Sequence, residues 1–456
     1  MNRIILIGNG FDLAHGMKTG YGNFVEWLWE DLLTDNFERP SYKDQIVVDK
    51  RKMIRFRAFL YDAKLREKGY PRIYDDKKFP ISKLLHFVFA LDNNNDLDVG
   101  YHDTPFVFSE YFEKGTNDLL ISITRNYVDK GWSDVEQAYY DKLLEFNNDE
   151  ESIINLNREF QQIEQALIEY LLTLPKPSKV EGMSDIILAP ILGRDIKELY
   201  KKDFKDDLTS KIINFMNTPE RKIWLEERSS LAQKFRLGGT YEGFKDFKDW
   251  FIDYLSKMTS KEVNTDVSDL ISELLSPDKT TFLTFNYTDT EELYRFEHQS
   301  PISVSFNSSS TIHIHGKLND PSNPIIFGYG DEYDDEYKKL EKSKIPHVLD
   351  NIKSMKYLET NNYRKLESLI NAAPYQVYIM GHSCALSDNT LLRTLFEHEN
   401  CVSIKPYYYQ NEKGWDNYGD IIQALSRCFT DKSKLRSVVV NKTFCELLPQ
   451  NKRSFS

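Results

Sequence analysis

The 456-residue sequence predicts an α/β protein, a doubly wound parallel sheet split in sequence by a large helical insertion. Three observations carry that prediction. An apolar run, Ile4 to Ile7, stops at Gly8-Asn9-Gly10, as a buried parallel strand does when it runs out into a ligand-binding turn. From about residue 278 onward, short β-rich runs alternate with helical ones. Between these regions the chain is helix-rich, aromatic and charged, with few strand-like runs. The expected domains are therefore 1–34 plus 271–456 for the sheet and 35–270 for the insertion.

Taken in order, the first element is the strand and its glycine turn. A side chain there would put Cβ atoms where a phosphate must approach backbone N–H groups, and the next helix should aim its N-terminus at that charge. Phe24, Val25, Leu28, Trp29, Leu32 and Leu33 supply that helix by their spacing. Position 13 is Leu, so the turn is not Gly-x-Gly-x-x-Gly, and no acidic residue ending a second strand follows about twenty residues on. By itself the turn serves a nucleotide or simply turns the chain. Within the insertion, Phe160, Ile163, Leu167, Tyr170 and Leu171 mark one amphipathic helix, and Phe244, Phe247, Trp250, Phe251, Tyr254 and Leu255 mark another. These aromatic stripes read as core. Asn93-Asn94-Asn95-Asp96 and Pro175-Lys176-Pro177-Ser178 read as a loop and a linker.

The later strands are expected at Thr280–Phe285, Thr311–Ile314, Ile325–Phe327, Tyr375–Met380, Cys401–Ile404 and Ser437–Val440. Helices are expected around Leu391, Leu392, Leu395 and Phe396, and from Ile421 to Phe429.

Composition narrows the partners. With 27 Tyr and 28 Phe the chain is not disordered, and a net charge of −12 argues against a broad nucleic-acid surface. Cys384, Cys401, Cys428 and Cys445 show no C-x-x-C and read as reduced core residues of a cytoplasmic protein. One Arg before a four-residue apolar run is too little for a signal segment, and no stretch approaches a membrane span. The sequence is compatible with a homo-oligomer.

Ligands in open α/β sheets sit beyond the carboxyl ends of the strands. Four expected strands end in residues suited to binding or chemistry: Gly8-Asn9-Gly10, Asn286, His315-Gly316 and Gly381-His382-Ser383. Each has a bland reading. Asn286 serves equally as a turn former or helix cap, His315 as a satisfied loop histidine, and Gly381 as a plain strand end. Their coincidence at four ends favours a site. His313 and His315 are expected to face opposite sides, so that only one lines a cleft.

Gly8-Asn9-Gly10-Phe11-Asp12-Leu13-Ala14-His15-Gly16, Trp132-Ser133-Asp134-Val135-Glu136, Thr284-Phe285-Asn286-Tyr287, His313-Ile314-His315-Gly316, Phe327-Gly328, and Gly381-His382-Ser383 with Ser387-Asp388 together resemble the AbiH family of bacterial abortive-infection, or phage-defence, proteins. The resemblance extends from Met1 to about Tyr409. More distantly, the order Gly-x-Gly, Thr-x-Asn-Tyr, His-Gly, Gly-x-Ser is similar to the SIR2-like, Rossmann-like NAD-binding fold. That likeness implies NAD as substrate or ligand, cleaved at its nicotinamide–ribose bond, and a phage or host protein as trigger. It implies that Asn286 orients water or polarises the ribose hydroxyls and that His315 is the base. It further implies a pyrophosphate on Gly8, Asn9, Gly10 and Phe11, and a far ribose at Gly381, His382 and Ser383, with Gly316 beside the base. Asp12 stands where sirtuins carry a small or hydroxyl residue, and its carboxylate is repulsive beside a pyrophosphate unless it binds a ribose hydroxyl or a metal. The cysteine zinc module of deacetylase sirtuins is absent, which argues against protein deacetylation.

Two other classes compete. Asp12, His15, His315 and His382 are metal-ligand types and would suit a metal-dependent phosphoesterase or nuclease, although no paired Asp or Asn-His-Glu run supports a two-metal centre. A non-catalytic nucleotide-sensing or interaction protein would use the same fold. In Trp132–Glu136, Ser133 and Glu136 read as a capping box with Asp134 in the first turn, and Glu136 reaches a ribose only if the insertion covers the cleft.

Overall fold

The computed structural model describes residues 1–33, 117–130, 134–146, 149–216, 248–251, 253, 274–299 and 306–451. Its strands are β1 (Asn2–Ile7), β2 (Thr280–Thr284), β3 (Glu297–Gln299), β4 (Phe306–His313), β5 (Tyr375–Met380) and β6 (Cys401–Tyr407). They form one sheet in the order β3-β4-β2-β1-β5-β6, parallel throughout except for β3, which pairs antiparallel with β4 at one edge. Renumbered without β3, the parallel strands run 3-2-1-4-5, the order in which doubly wound sheets place their first strand at the centre. The chain that leaves β1 at Ile7 therefore returns only at Thr280 to pair beside it, Ile7 opposite Thr284.

The apolar runs become central strands because both of their faces find a cover. Ile4 and Leu6 join Leu283, Val377, Ile379 and Ile404 under the helices Asn362–Ala372, Asn389–Glu397 and Tyr418–Arg427. On the other face Ile5 and Ile7 join Phe282, Tyr378 and Met380 under Val180, Met183 and Ile187. Each such side chain, once fully buried, contributes about 1.5–3 kcal/mol. The stretch after Pro177, expected within the insertion, thus packs on the sheet.

Arg3 shows what the apolar pattern hid. It is fully buried on this second face, held by the Ile187 carbonyl at 2.9 Å and the Tyr378 hydroxyl at 3.0 Å, with its guanidinium 4.2 Å from the Tyr378 ring centroid. Those contacts replace water for a group that cannot lose its charge.

By contact density the chain divides into two compact units. One comprises Met1–Met17, Pro177–Ile326 and Tyr357–Ser456 and holds the sheet; the other comprises Lys18–Lys176 and Phe327–Lys356. In the second unit the helix Glu150–Thr173 starts at Asp149, whose carboxylate accepts from Ser152 N–H, and carries Glu150 and Glu151 in its first turn. Ile153, Leu156, Phe160, Ile163, Leu167 and Tyr170 form its buried stripe, and Pro175 follows its end. The helix Tyr21–Leu33 buries Phe24, Val25, Leu28 and Trp29, with the Trp29 indole donating to Thr124 Oγ1 at 2.9 Å.

Several expected elements differ. The helix after the glycine turn is Asn9–Ala14, short because Gly16 takes a left-handed φ of +82°; the expected helix is the next one. Ile325–Phe327 forms no strand, and Ile326 N–H goes instead to the His315 carbonyl at 2.8 Å. Ser437–Val440 is no strand either. Asp431 caps a helix, Lys432–Val438, that runs into the valines, and only Val439 bridges to Ile404. Most of the Phe244–Leu255 stripe, and Asn93–Asp96, lie outside the described residues.

Candidate active site

Parallel pairing fixes where the strand ends meet. Because β4, β2, β1 and β5 are neighbours running the same way, the turns after them share one rim of the sheet. Phe285 N–H donates to the Ile7 carbonyl at 3.0 Å, Ile314 N–H to Thr284 at 3.0 Å, and Gly10 N–H to Gly381 at 2.8 Å. Gly8-Asn9-Gly10, Asn286, His315-Gly316 and Gly381-His382-Ser383 are brought together there.

The glycines are needed by the chain itself. A Cβ on Gly10 would stand 2.7 Å from the Gly381 carbonyl oxygen, and one on Gly8 would stand 2.6 Å from His382 Cα. Gly381 has φ +74°, and a Cβ there would meet Phe11 N at 2.1 Å. Gly316 turns at φ +87° with the Pro324 carbonyl oxygen 2.1 Å from where its Cβ would be. The amides of Gly10 and Phe11 are bonded within the protein, the latter to the Gly8 carbonyl at 2.9 Å. Asn9 and Ser383 are exposed at the rim, with Gly10, Asn286 and Gly381 half-buried beside them.

Behind this rim lie buried polar groups. Asn286 Nδ2 donates to the Gly8 carbonyl at 3.1 Å, which ties the end of β2 to the glycine turn. Asp12 is 1% exposed; its Oδ2 accepts from Thr288 Oγ1 at 2.6 Å, and its Oδ1 makes no hydrogen bond. Burial pushes its carboxyl up to about 6, against the opposing effect of Thr288, Thr290 and Asn286, with Glu291 adding to the rise.

That displacement has a sign that stability measurements can read. An unfolded Asp12 ionises near 3.8 and the folded one only near 6. Stability therefore falls as pH rises through that interval and stays lower above it, by about 3 kcal/mol at most. Asp12→Asn, which keeps an acceptor for Thr288, is expected to stabilise the protein by about 1–3 kcal/mol at pH 8 and by little at pH 4. Urea unfolding at the two pH values checks it; a loss of stability at pH 8 would contradict the buried-carboxylate account.

The histidines separate by environment. His315 Nε2 lies 3.0 Å from the Tyr357 hydroxyl and 3.5 Å from Asp388 Oδ1. His382 Nε2 lies 3.7 Å from Asp388 Oδ2, and its Nδ1 accepts from Cys384 N–H at 2.9 Å. His313 Nε2 is 2.9 Å from Glu291 Oε1, near enough for an ion pair but off the line of a good hydrogen bond. His313 and His315 do end in different surroundings, yet strand alternation is not the reason, since positions two apart share a face. The chain leaves the strand at Ile314, and the turn redirects His315. His15 is a core residue: Nδ1 donates to the Phe11 carbonyl and Nε2 accepts from Tyr294, each at 2.7 Å, and burial lowers its basicity. Among the described residues no three His, Cys, Asp or Glu side chains are placed to share a cation.

All four cysteines are buried and none is in a disulfide, and burial pushes the Cys384 thiol well up. No described helix is long and apolar enough to cross a membrane.

In the second unit, Trp132 and Ser133 lie outside the described residues. The residue that caps the Val135–Glu145 helix is Asp134, whose Oδ1 accepts from Glu136 and Gln137 N–H at 3.1 and 3.0 Å. Whether Ser133 completes a capping box lies outside the described residues. The Glu136 carboxylate is buried against Lys353 Nζ at 2.8 Å and the Gly328 amide at 3.4 Å.

Tyr357, Thr288 and Asp388 were not singled out as site residues from sequence. Asp388 alone had a signal, its recurrence beside Gly381-His382-Ser383 in the motif set. No curated protein and no solved structure matches this chain. The family model for bacteriophage abortive infection AbiH matches residues 4–409, motifs and rim included, so the chain belongs to the AbiH family.

Proposed function

We propose that this protein acts in phage defence by binding NAD at the carboxyl rim of its sheet and hydrolysing the nicotinamide–ribose bond. One observation supports this reading most: half-buried Asn286 is tied to the glycine turn in front of the buried His315–Asp388–His382 group, where the strand order reverses. Such a crevice suits a dinucleotide. Exposed Asn9 would meet the phosphates, and the orphaned Oδ1 of Asp12 would accept a ribose hydroxyl. A carboxyl displaced to about 6 also repels a phosphate less as pH falls, because more of it is neutral.

The chemistry asks little of the protein. As the C–N bond breaks, its electron pair neutralises the pyridinium, so the leaving group needs no acid. Water bonds to the anomeric carbon and loses a proton, for which His315 is the base. Asn286 stabilises the developing charge by holding water or the ribose hydroxyls. Purified protein incubated with NAD should release nicotinamide and ADP-ribose in equal amounts. Intact NAD at enzyme-level protein concentration would overturn the reading.

His315 is only 3% exposed, which favours one second reading, nucleotide binding without turnover. Calorimetry showing NAD binding in the absence of products would select it. A phage or host protein would be the trigger in either case.

A further inference from the structure

Asp388 occupies a place where its side chain has an ordinary use and does not take it. It begins the Asn389–Glu397 helix, where an Asp normally accepts from the helix amides, yet it makes no capping hydrogen bond. Its two oxygens instead face two imidazoles from different strand ends, at 3.5 Å from His315 Nε2 and 3.7 Å from His382 Nε2. Phe285 stands edge-on to both rings, with centroids at 4.8 and 4.3 Å. All three polar side chains are buried.

The His382 tautomer follows from its neighbour. Nδ1 accepts from Cys384 N–H, so the neutral ring carries its proton on Nε2, toward the carboxylate. Cys384 makes that bond from a left-handed φ of +54°, a conformation that a non-glycine residue holds only when its surroundings enforce it.

We propose that Asp388 is the positioning residue of this site, a single carboxylate that orients the Nε2–H of both His315 and His382 and couples their titrations. The proposal rests on the reading of His315 as base. With Nε2 of His315 engaged by the Tyr357 hydroxyl at 3.0 Å and facing the Asp388 carboxylate at 3.5 Å, Nδ1 receives the proton from the attacking water. The imidazolium so formed lies against the carboxylate, then returns its proton to solvent. Other titratable groups facing this cluster include the Tyr357 hydroxyl on His315 and the Cys384 thiol, which in turn faces Cys428.

The test is a histidine-labelled NMR titration of the full chain, with signals assigned by single His→Gln variants. Asp388→Asn keeps the shape and removes the charge. It is expected to lower the titration midpoints of both His315 and His382 by about one pH unit, and Asp388→Glu to recover part of the loss. Midpoints within about 0.2 of the wild type in folded Asp388→Asn would overturn the proposal. If Asp388→Asn does not fold, His382→Gln decides: the His315 midpoint should rise as its positive neighbour is lost, and an unchanged midpoint rejects the coupling. Titration needs no turnover. Coupled histidines in a protein that never consumes NAD would reject the base assignment and leave the role of Asp388 standing.

Discussion

His315→Ala is expected to lower NAD hydrolysis about 10²–10⁴-fold, the range a positioned general base supplies. Asn286→Ala should lower it about 10²–10³-fold, as loss of one preorganised donor does. The two variants differ in their structural cost. Asn286 is half-buried and gives up its hydrogen bond to Gly8, worth about 1 kcal/mol, and its interaction with Asp12. His315 is packed between Phe285 and Tyr357, so alanine also leaves a cavity. His315→Gln, which fills much of that space, should be as inactive as alanine while melting closer to the wild type. Rates of nicotinamide release at saturating NAD, read beside melting curves, separate lost chemistry from lost fold. Full turnover in either folded variant would remove that residue from the mechanism.

Lys353→Ala is expected to cost the second unit about 3–5 kcal/mol, because it removes the buried cation beside the Glu136 carboxylate. The pair is 2.8 Å apart, with the lysine 1% exposed, so water cannot replace the missing cation. A melting temperature lower by about 10 °C is the corresponding observation. Glu136→Gln with Lys353→Met should recover most of that loss, since removing both charges also removes the desolvation penalty. The glutamine still offers an oxygen to the Gly328 amide. If the single variant melts like the wild type, the ion pair is not holding residues 327–356 to these helices.

The sequence made the centre of the sheet legible because strands buried on both faces are rich in continuous apolar runs, as Ile4–Ile7 and Val377–Met380 are. It made the rim legible because each apolar run stops at glycines or polar residues. The reason for the glycines was less visible: a gap for a phosphate and a close approach of Gly10 to Gly381 leave the same letters. Val438-Val439-Val440 misled because β-branched residues mark strands in general, whereas the decisive local signal was the Asp431 cap seven residues earlier. Beside the Ser133–Glu136 spacing, Asp134 is a second acceptor for the same helix start. Arg3 and the Asp388 link are long-range. Nothing within a few residues of Asp388 announces two histidines, one 73 positions before it.

In the proposed reading the rim binds NAD with its scissile bond at Asn286 and His315. A crystal structure with an uncleavable carbocyclic NAD analogue tests it most directly. The nicotinamide-bearing ring is expected within hydrogen-bond reach of Asn286, with His315 behind it. Density for the analogue on any other surface of the molecule would contradict the account.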